Sequence, residues 1–404
     1  MNNTKGISLI SFLVVFLCFM SCNSDKGIKH QAPNAHDGHA HAEGEHGHGK
    51  EGHDHSGHDH GSNPHAHAAE DGPKMTDLIY DGEQNFKKLT QLTFGGDNAE
   101  AYWSFDNSKL VFQATNKEWG AKCDQIFYMA ADGSEKKPPM ISTGQGRTTC
   151  SYFMPGDKTI IYASTHNKDA ACPTAPRSKN GKYVWGIFPG FDIYLADLNG
   201  KILKQFTSEE GYDAEPTVSP DGKKIVFTST RSGDLELYTM DIDGSNIKQV
   251  TNELGYDGGA FFSPDSKQLL FRASRPKTPE EIKSYKELLK ENVVQPTAME
   301  LFVCDVDGSN MKQVTKLGGA NWAPFFHPSG KSIVFSTNHH SKSGRQFNIF
   351  SINVDGTGLR QVTYDNAFDA FPMFSPDGTK LAFSSNRNNG GTRDTNVFVA
   401  EWTD

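Results

Sequence analysis

Sixteen histidines and a recurring set of aspartates, arginines and asparagines are the side chains in this 404-residue protein with chemistry to offer. Twelve of the histidines fall between His30 and His67, ten of them paired at alternate positions: His39 with His41, His46 with His48, His53 with His55, His58 with His60, and His65 with His67. Neutral imidazoles at that density, interleaved with Asp and Glu, suit borderline divalent ions such as Zn, Cu or Ni. Binding should weaken below about pH 6, where imidazole takes up a proton. The tract holds almost no apolar side chain larger than Ala, so it cannot bury enough surface to offset its ordering entropy. It reads as a disordered tether and not as a catalytic centre.

The second grouping is periodic. Asn98, Thr148, Asp213, Asp257, Asn321 and Asp369 recur at one position ahead of a turn, while Asn116, His166, Arg231, Arg275, His339 with His340, and Arg387 recur at another. An acidic inner ring beside a cationic one would grip a zwitterionic or hydroxyl-rich ligand, or Asp213, Asp257 and Asp369 would hold a cation such as Ca. The competing reading is structural, with polar residues capping backbone amides and arginines forming ion pairs between repeats.

These positions recur because the chain repeats. Six segments, among them SYFMPGDKTIIYASTH, PTVSPDGKKIVFTSTR and PMFSPDGTKLAFSSNR, align without gaps. Each holds an apolar strand, a tight turn and an alternating strand, and the first five run on into a further strand and an Asp-Gly or Asn-Gly turn. Four antiparallel strands repeated six times predict an all-β fold, a six-bladed β-propeller. The sixth repeat ends at Trp402 without its outer strand, and an orphan strand, Lys87–Thr93, waits at the other end. The orphan should complete the last blade and close the ring.

Successive turns of an antiparallel meander alternate between its two ends. The short S-P-D-G and D-G-S-N turns therefore share one face, and the variable loops carrying the periodic residues share the other, where binding concentrates. Two insertions enlarge that face. Residues 167–189 carry Cys172, Tyr183, Trp185 and Phe188, and residues 278–291 pattern as a helix of about three turns with Thr278 as N-cap and Pro279 at N1. Cys123, Cys150 and Cys172 map to the same face, so one disulfide among them is expected, most simply one that pins the Cys172 loop; Cys304 reads as a buried thiol.

Two resemblances add to this. The S-P-D-G-K units followed by D-G-S-N-x-K-Q-[VL]-T resemble the propeller repeats of the TolB family, over about residues 86–402. That resemblance implies the fold and a cell-envelope setting but leaves function open, because such repeats serve binding proteins, protease gating domains and a few lyases. At the amino terminus, an apolar stretch ending at Phe19-Met20-Ser21-Cys22 resembles the lipobox of bacterial lipoproteins, which implies cleavage before Cys22 and its lipidation. Asn23, by resemblance to enteric sorting rules, points to the outer membrane. The expected organisation is a signal peptide at 1–21, a His-rich tether at 22–80 and the propeller at 86–404.

Composition limits the function further. A hydrophobic fraction of 36% excludes a polytopic membrane protein, and a net charge of -9 offers no footprint for nucleic acid. The leading expectation is a monomeric, membrane-anchored binding protein whose loop-rich face engages a small ligand or a protein partner. The alternative is an enzyme, a lyase or hydrolase on a uronate-containing saccharide, using His166, His339, His340 and the aspartates of that face.

Overall fold

The computed structural model describes residues 78–404 other than 175, 177, 180 and 367. The expected lipidation site, Cys22, lies outside the described residues. So do all ten histidines expected to bind metal: His39, His41, His46, His48, His53, His55, His58, His60, His65 and His67. Within the described residues the chain forms a six-bladed β-propeller. From the innermost strand outward, blade 2 is Thr148–Phe153, Thr159–Ser164, Asp192–Asp197 and Ile202–Gln205. Blades 3, 4 and 5 begin at Asp213–Val218, Asp257–Phe262 and Asn321–Phe326 and repeat the same four-stranded order. Blade 1, from Asp97–Trp103, has three strands, and its fourth position is reduced to a bridge between Met140 and Phe127. Innermost strands neighbour one another in sequence order, and the first meets the sixth, so the ring is closed.

The sequence motifs explain the blades. In the S-P-D-G turn before Lys224, the Ser219 hydroxyl donates to Asp221 at 2.7 Å and accepts from the Lys224 amide at 2.9 Å, locking strands one and two together. Equivalent bonds join Ser263 to Asp265 and Ser375 to Asp377, each at 2.6 Å. The aromatic of the following strand faces the neighbouring blade: Phe112, Tyr162, Phe227, Phe271, Phe335 and Phe383 are each fully buried. One such ring contributes roughly 2–3 kcal/mol when taken out of water, and the repeat supplies six.

Closure follows the expected route. Phe86–Gln91 pairs antiparallel with Asn396–Trp402 as the outer strand of blade 6, and Leu89 is completely buried opposite Ala400. Packing extends upstream of this strand, because Leu78 joins the same apolar cluster and Glu83 is buried against blade 6.

The helix spans Pro279–Lys290, with Thr278 accepting from the Glu281 amide and Glu281 answering to the Thr278 amide. Its Tyr285 and Leu288 are buried, and the Tyr285 hydroxyl bonds to Asp234 of blade 3. The two insertions meet, since Trp185–Gly186 pairs as a short strand with Val293–Val294.

Candidate functional site

In every innermost strand the pairing slips two residues after the blade-entry position, and the residue at the slip has a left-handed backbone. These are Glu100 (φ 56°), Cys150 (φ 42°), Glu215 (φ 58°), Gly259 (φ 60°), Ala323 (φ 45°) and Phe371 (φ 56°). A bulge of this kind re-aims its side chain, and backbone strain of this kind gathers where function needs it. All six residues line one cavity of about 790 Å³ at the loop-rich end of the ring.

The cavity has unlike walls. Over blades 5 and 6 and the first insertion, aromatic rings form a continuous surface: Trp185 to Trp322 at 5.0 Å, Trp322 to Phe347 at 4.3 Å, Phe347 to Phe368 at 5.6 Å, and Phe368 to Phe371 at 6.3 Å between centroids. Its floor is shut. Tyr102, Phe261 and Met373 line both this cavity and a smaller one of about 230 Å³ among Pro220, Pro264, Pro328 and Pro376 on the short-turn face. Between the two cavities the Tyr102 ring of blade 1 stacks on Phe261 of blade 4 at 5.9 Å, and Phe261 meets Phe325 at 5.1 Å, so side chains meeting across the ring make the floor of a blind cup.

A polar network adjoins the aromatic wall at both ends, with Arg272 over the Trp185 ring and Glu100 on the blade next to that of Phe371. Glu215 accepts from Thr228 Oγ1 at 2.7 Å, the Gly259 amide at 2.9 Å and the Tyr256 hydroxyl at 3.0 Å, and it is ion-paired with Arg272. Burial alone would raise its pKa, but Arg272 and these donors outweigh burial and hold the carboxyl below its ordinary range. Glu100 is placed differently: it accepts from Cys150 Sγ at 2.9 Å and the Tyr102 hydroxyl at 3.1 Å, and burial pushes its pKa up. Burial, then the Glu100 carboxylate, also pushes the Cys150 thiol up, so this cysteine is a neutral neighbour and not a ready nucleophile. Gly259 is required here, because a Cβ at that position would collide with the Arg272 guanidinium.

A disulfide between Cys123 and Cys172 ties the first insertion to blade 1, while Cys150 and Cys304 are free and buried. Of the three cysteines mapped to this face, the structure thus joins the outer two and leaves Cys150 inside the cup.

The periodic residues singled out in the sequence sit elsewhere. Of the twelve offered as ligand-binding, only Thr148 lines the cup, its hydroxyl donating to the Asp124 carbonyl at 2.9 Å. Asp213 accepts from Arg231 at 2.9 Å, Asp257 pairs with Arg275, and Asp369 accepts from Arg387 at 2.9 Å. In each case the arginine follows its aspartate by 18 residues and belongs to the same blade. Arg387, with a side chain fully out of solvent, also binds both oxygens of Glu83 and the Leu78 carbonyl. Asn98 donates to the Gly95 and Thr395 carbonyls, and Asn321 donates to the Met299 carbonyl and accepts from Thr337.

The histidines are held in the same manner. His166 Nδ1 lies 2.9 Å from Ser164 Oγ, His339 Nδ1 lies 3.1 Å from Thr337 Oγ1, and His340 Nε2 lies 2.8 Å from Asn348 Oδ1. The two expected rings are thus one set of clasps around the cup: the Asp–Arg pairs and the histidines close within a blade, while Asn98, Thr148 and Asn321 bond to the neighbouring blade. The structure does not bring Asp213, Asp257 and Asp369 together; among the described residues no three His, Cys, Asp or Glu side chains are gathered to hold a metal ion.

The sequence marked Cys150 only as a disulfide candidate, and Glu100, Glu215, Tyr256 and Arg272 not at all. Glu100, Cys150 and Glu215 lie two places beyond a blade-entry position, but only the bulge turns that offset toward the cup, and Tyr256 and Arg272 do not share it.

Comparison with known proteins agrees with this architecture. The family model described as TolB beta propeller domain matches residues 189–288 and 293–395. No curated protein matches the sequence. Among solved structures, a TolB from Acinetobacter baumannii is 21% identical with a TM-score of 0.50, over 74% of this chain and 64% of that one. A putative TolB from Agrobacterium tumefaciens is 18% identical with a TM-score of 0.49, over 76% and 91%. An oligogalacturonate lyase from Vibrio parahaemolyticus is 11% identical with a TM-score of 0.47, over 80% and 95%. At 21% identity the likeness to the Acinetobacter protein bears on fold alone.

Proposed function

Because the chain belongs to the TolB β-propeller family, a scaffold whose function must be read from its site, we propose that it is an exported, lipid-anchored protein that captures a small ligand in the cup. The observation that supports this is the cup itself. Its volume of about 790 Å³ lies in the range of small-molecule sites, and aromatic walls with a few convergent polar groups are their usual lining. The floor is blind, so a ligand is buried on all sides but one. The first insertion raises one wall, and the disulfide and its short strand pair with Val293–Val294 hold it in place.

The envelope setting rests on the lipobox-like residues before Cys22, and the His-rich segment is read as a tether that also binds divalent metal. In this reading the cup, not a metal, selects the cargo. A protein partner would dock on the rim above it.

Native mass spectrometry of protein released gently from expressing cells tests the proposal. Wild-type protein should carry a small-molecule adduct that Trp322→Ala, which removes its stacked wall, loses and that Phe371→Trp, which crowds the cup, weakens. The proposal fails if no adduct is found and a library of soluble metabolites leaves the melting temperature unmoved.

One observation keeps the enzymatic alternative in view. Glu100, a cavity-facing carboxyl whose pKa burial raises, has the character of a general acid, whereas none of His166, His339 or His340 lines the cup. A lyase acting on polygalacturonate would generate the ultraviolet absorbance of an unsaturated uronate, and Glu100→Gln would abolish it.

A further inference from the structure

We propose that the ligand of the cup is an organic cation: an ammonium group, primary or quaternary, carried on a flat apolar body. The inference rests on the small-ligand reading above and names the chemistry of its cargo. Six charged side chains line the cup: Glu100, Asp124, Arg147, Glu215, Arg272 and Arg345. Arg147 is paired with Asp124, and Arg272 with Glu215. Arg345 is exposed at the rim. Glu100 remains, and among the described residues no Lys, Arg or His forms an ion pair with it. Its two hydrogen bonds, from Cys150 and Tyr102, both fall on Oε2, and Oε1 has no hydrogen-bond donor among the described residues. The deep part of the cup therefore holds two carboxyls and one guanidinium, which is ion-paired with Glu215 and attracts Glu100 only through space, so that an ionised Glu100 has no cation bonded to it and a bound ammonium would supply one.

The aromatic wall suits the same ligand. Trp322, Phe347, Phe368 and Phe371 present ring faces and edges in a run, and such faces attract a cation most strongly where water is excluded. The protein already uses this attraction within the site: the Arg272 guanidinium lies 5.2 Å from the Trp185 ring centre and 5.4 Å from that of Tyr256. A bound ammonium would face Glu100 while its apolar body lay along the rings. An anion in that place would meet the Glu100 carboxylate and find Arg272 and Arg147 already paired. A neutral ligand would bury Glu100 without a counter-charge, at the cost of holding it protonated.

The test compares three matched probes by tryptophan fluorescence and calorimetry: 2-phenylethylammonium, 2-phenylethanol and phenylacetate. The ammonium should bind at least about tenfold tighter than the alcohol, as expected for a charge-assisted bond combined with ring attraction. Glu100→Gln, which keeps the shape of the side chain, should lower ammonium affinity about tenfold and leave the alcohol unchanged. Phe368→Ala, on the aromatic wall, should also weaken the ammonium.

Phenylacetate binding tighter than the ammonium, equal binding by all three probes, or ammonium affinity unmoved by both substitutions would overturn the inference. If phenylacetate or the alcohol binds best and Trp322→Ala abolishes that binding, small-ligand capture stands and the cation falls. Failure of all three probes also overturns the cation, and the adduct experiment then decides separately whether the cup holds a ligand.

Discussion

Asp213, Asp257 and Asp369 each meet an arginine 18 residues on, and that pairing decides how these positions respond to substitution. The Asp257 side chain is fully buried, so removing Arg275 alone strands its charge. Arg275→Met should cost about 3–5 kcal/mol, whereas the double change Asp257→Ala with Arg275→Met should recover much of that loss. Urea unfolding measures both, and retained ligand capture in the double variant would confirm a clasp; capture lost without loss of stability would make these residues ligands after all. The pairing was legible in the sequence: where the first member is Asp the second is Arg, and where it is Asn or Thr the second is Asn or His. The cup residues were not legible, because Glu100, Cys150, Glu215, Gly259, Ala323 and Phe371 share no chemical type and only the bulge gives them a common direction. Asp192 offers a pH test at the same scale. Burial, and then the Asp213 carboxylate, push it up to about 6. A carboxyl raised in the folded state supports folding below its ordinary pKa and loses that support as pH climbs through the folded value. The melting temperature of Asp192→Asn should therefore gain on that of wild type between about pH 4 and 7, and stay parallel above.

At the scale of elements, closure of the ring rests on a strand that comes first in sequence and last in the sheet. Phe86–Gln91 completes blade 6, and Arg387 fastens the segment ahead of it through Glu83 and the Leu78 carbonyl. Leu89 has no exposure, so Leu89→Asp places a charge in the apolar cluster and should cost upwards of about 4 kcal/mol, with all blades melting together as the seam opens. Unchanged melting would mean that the ring is held without this strand. The strand and the helix were both readable from sequence, since each carries its own local signal: the likeness of Lys87-Lys88-Leu89-Thr90 to the Lys-Gln-Val-Thr outer strands of the other repeats in one, and the Thr278 cap, Pro279 and Glu281 in the other. The pairing of Trp185–Gly186 with Val293–Val294 was not, because two residues on each side carry no periodicity and their register is set only once blades 2 and 4 stand around the same cup.

For the whole molecule, the septum of Tyr102, Phe261 and Met373 changes what a propeller centre can do. Under the proposed reading a ligand would enter and leave through the loop-rich mouth, and the protein would hold its cargo and not pass it through the ring. A holder on a membrane needs reach, and the histidine-rich segment between the proposed lipidation site and the propeller has the composition for it. Metal uptake and ligand capture should then separate, since the cup's polar groups are carboxylates, arginines, tyrosines and a thiol, whereas the proposed metal-binding side chains are the imidazoles of the tract. Deleting residues 28–72 should remove most zinc bound at pH 7, measured by equilibrium dialysis, and leave both the melting temperature and 2-phenylethylammonium affinity unchanged. If the deletion instead weakens the cup's affinity, the tract contributes to the binding face itself, and tether and holder would have to be treated as one site.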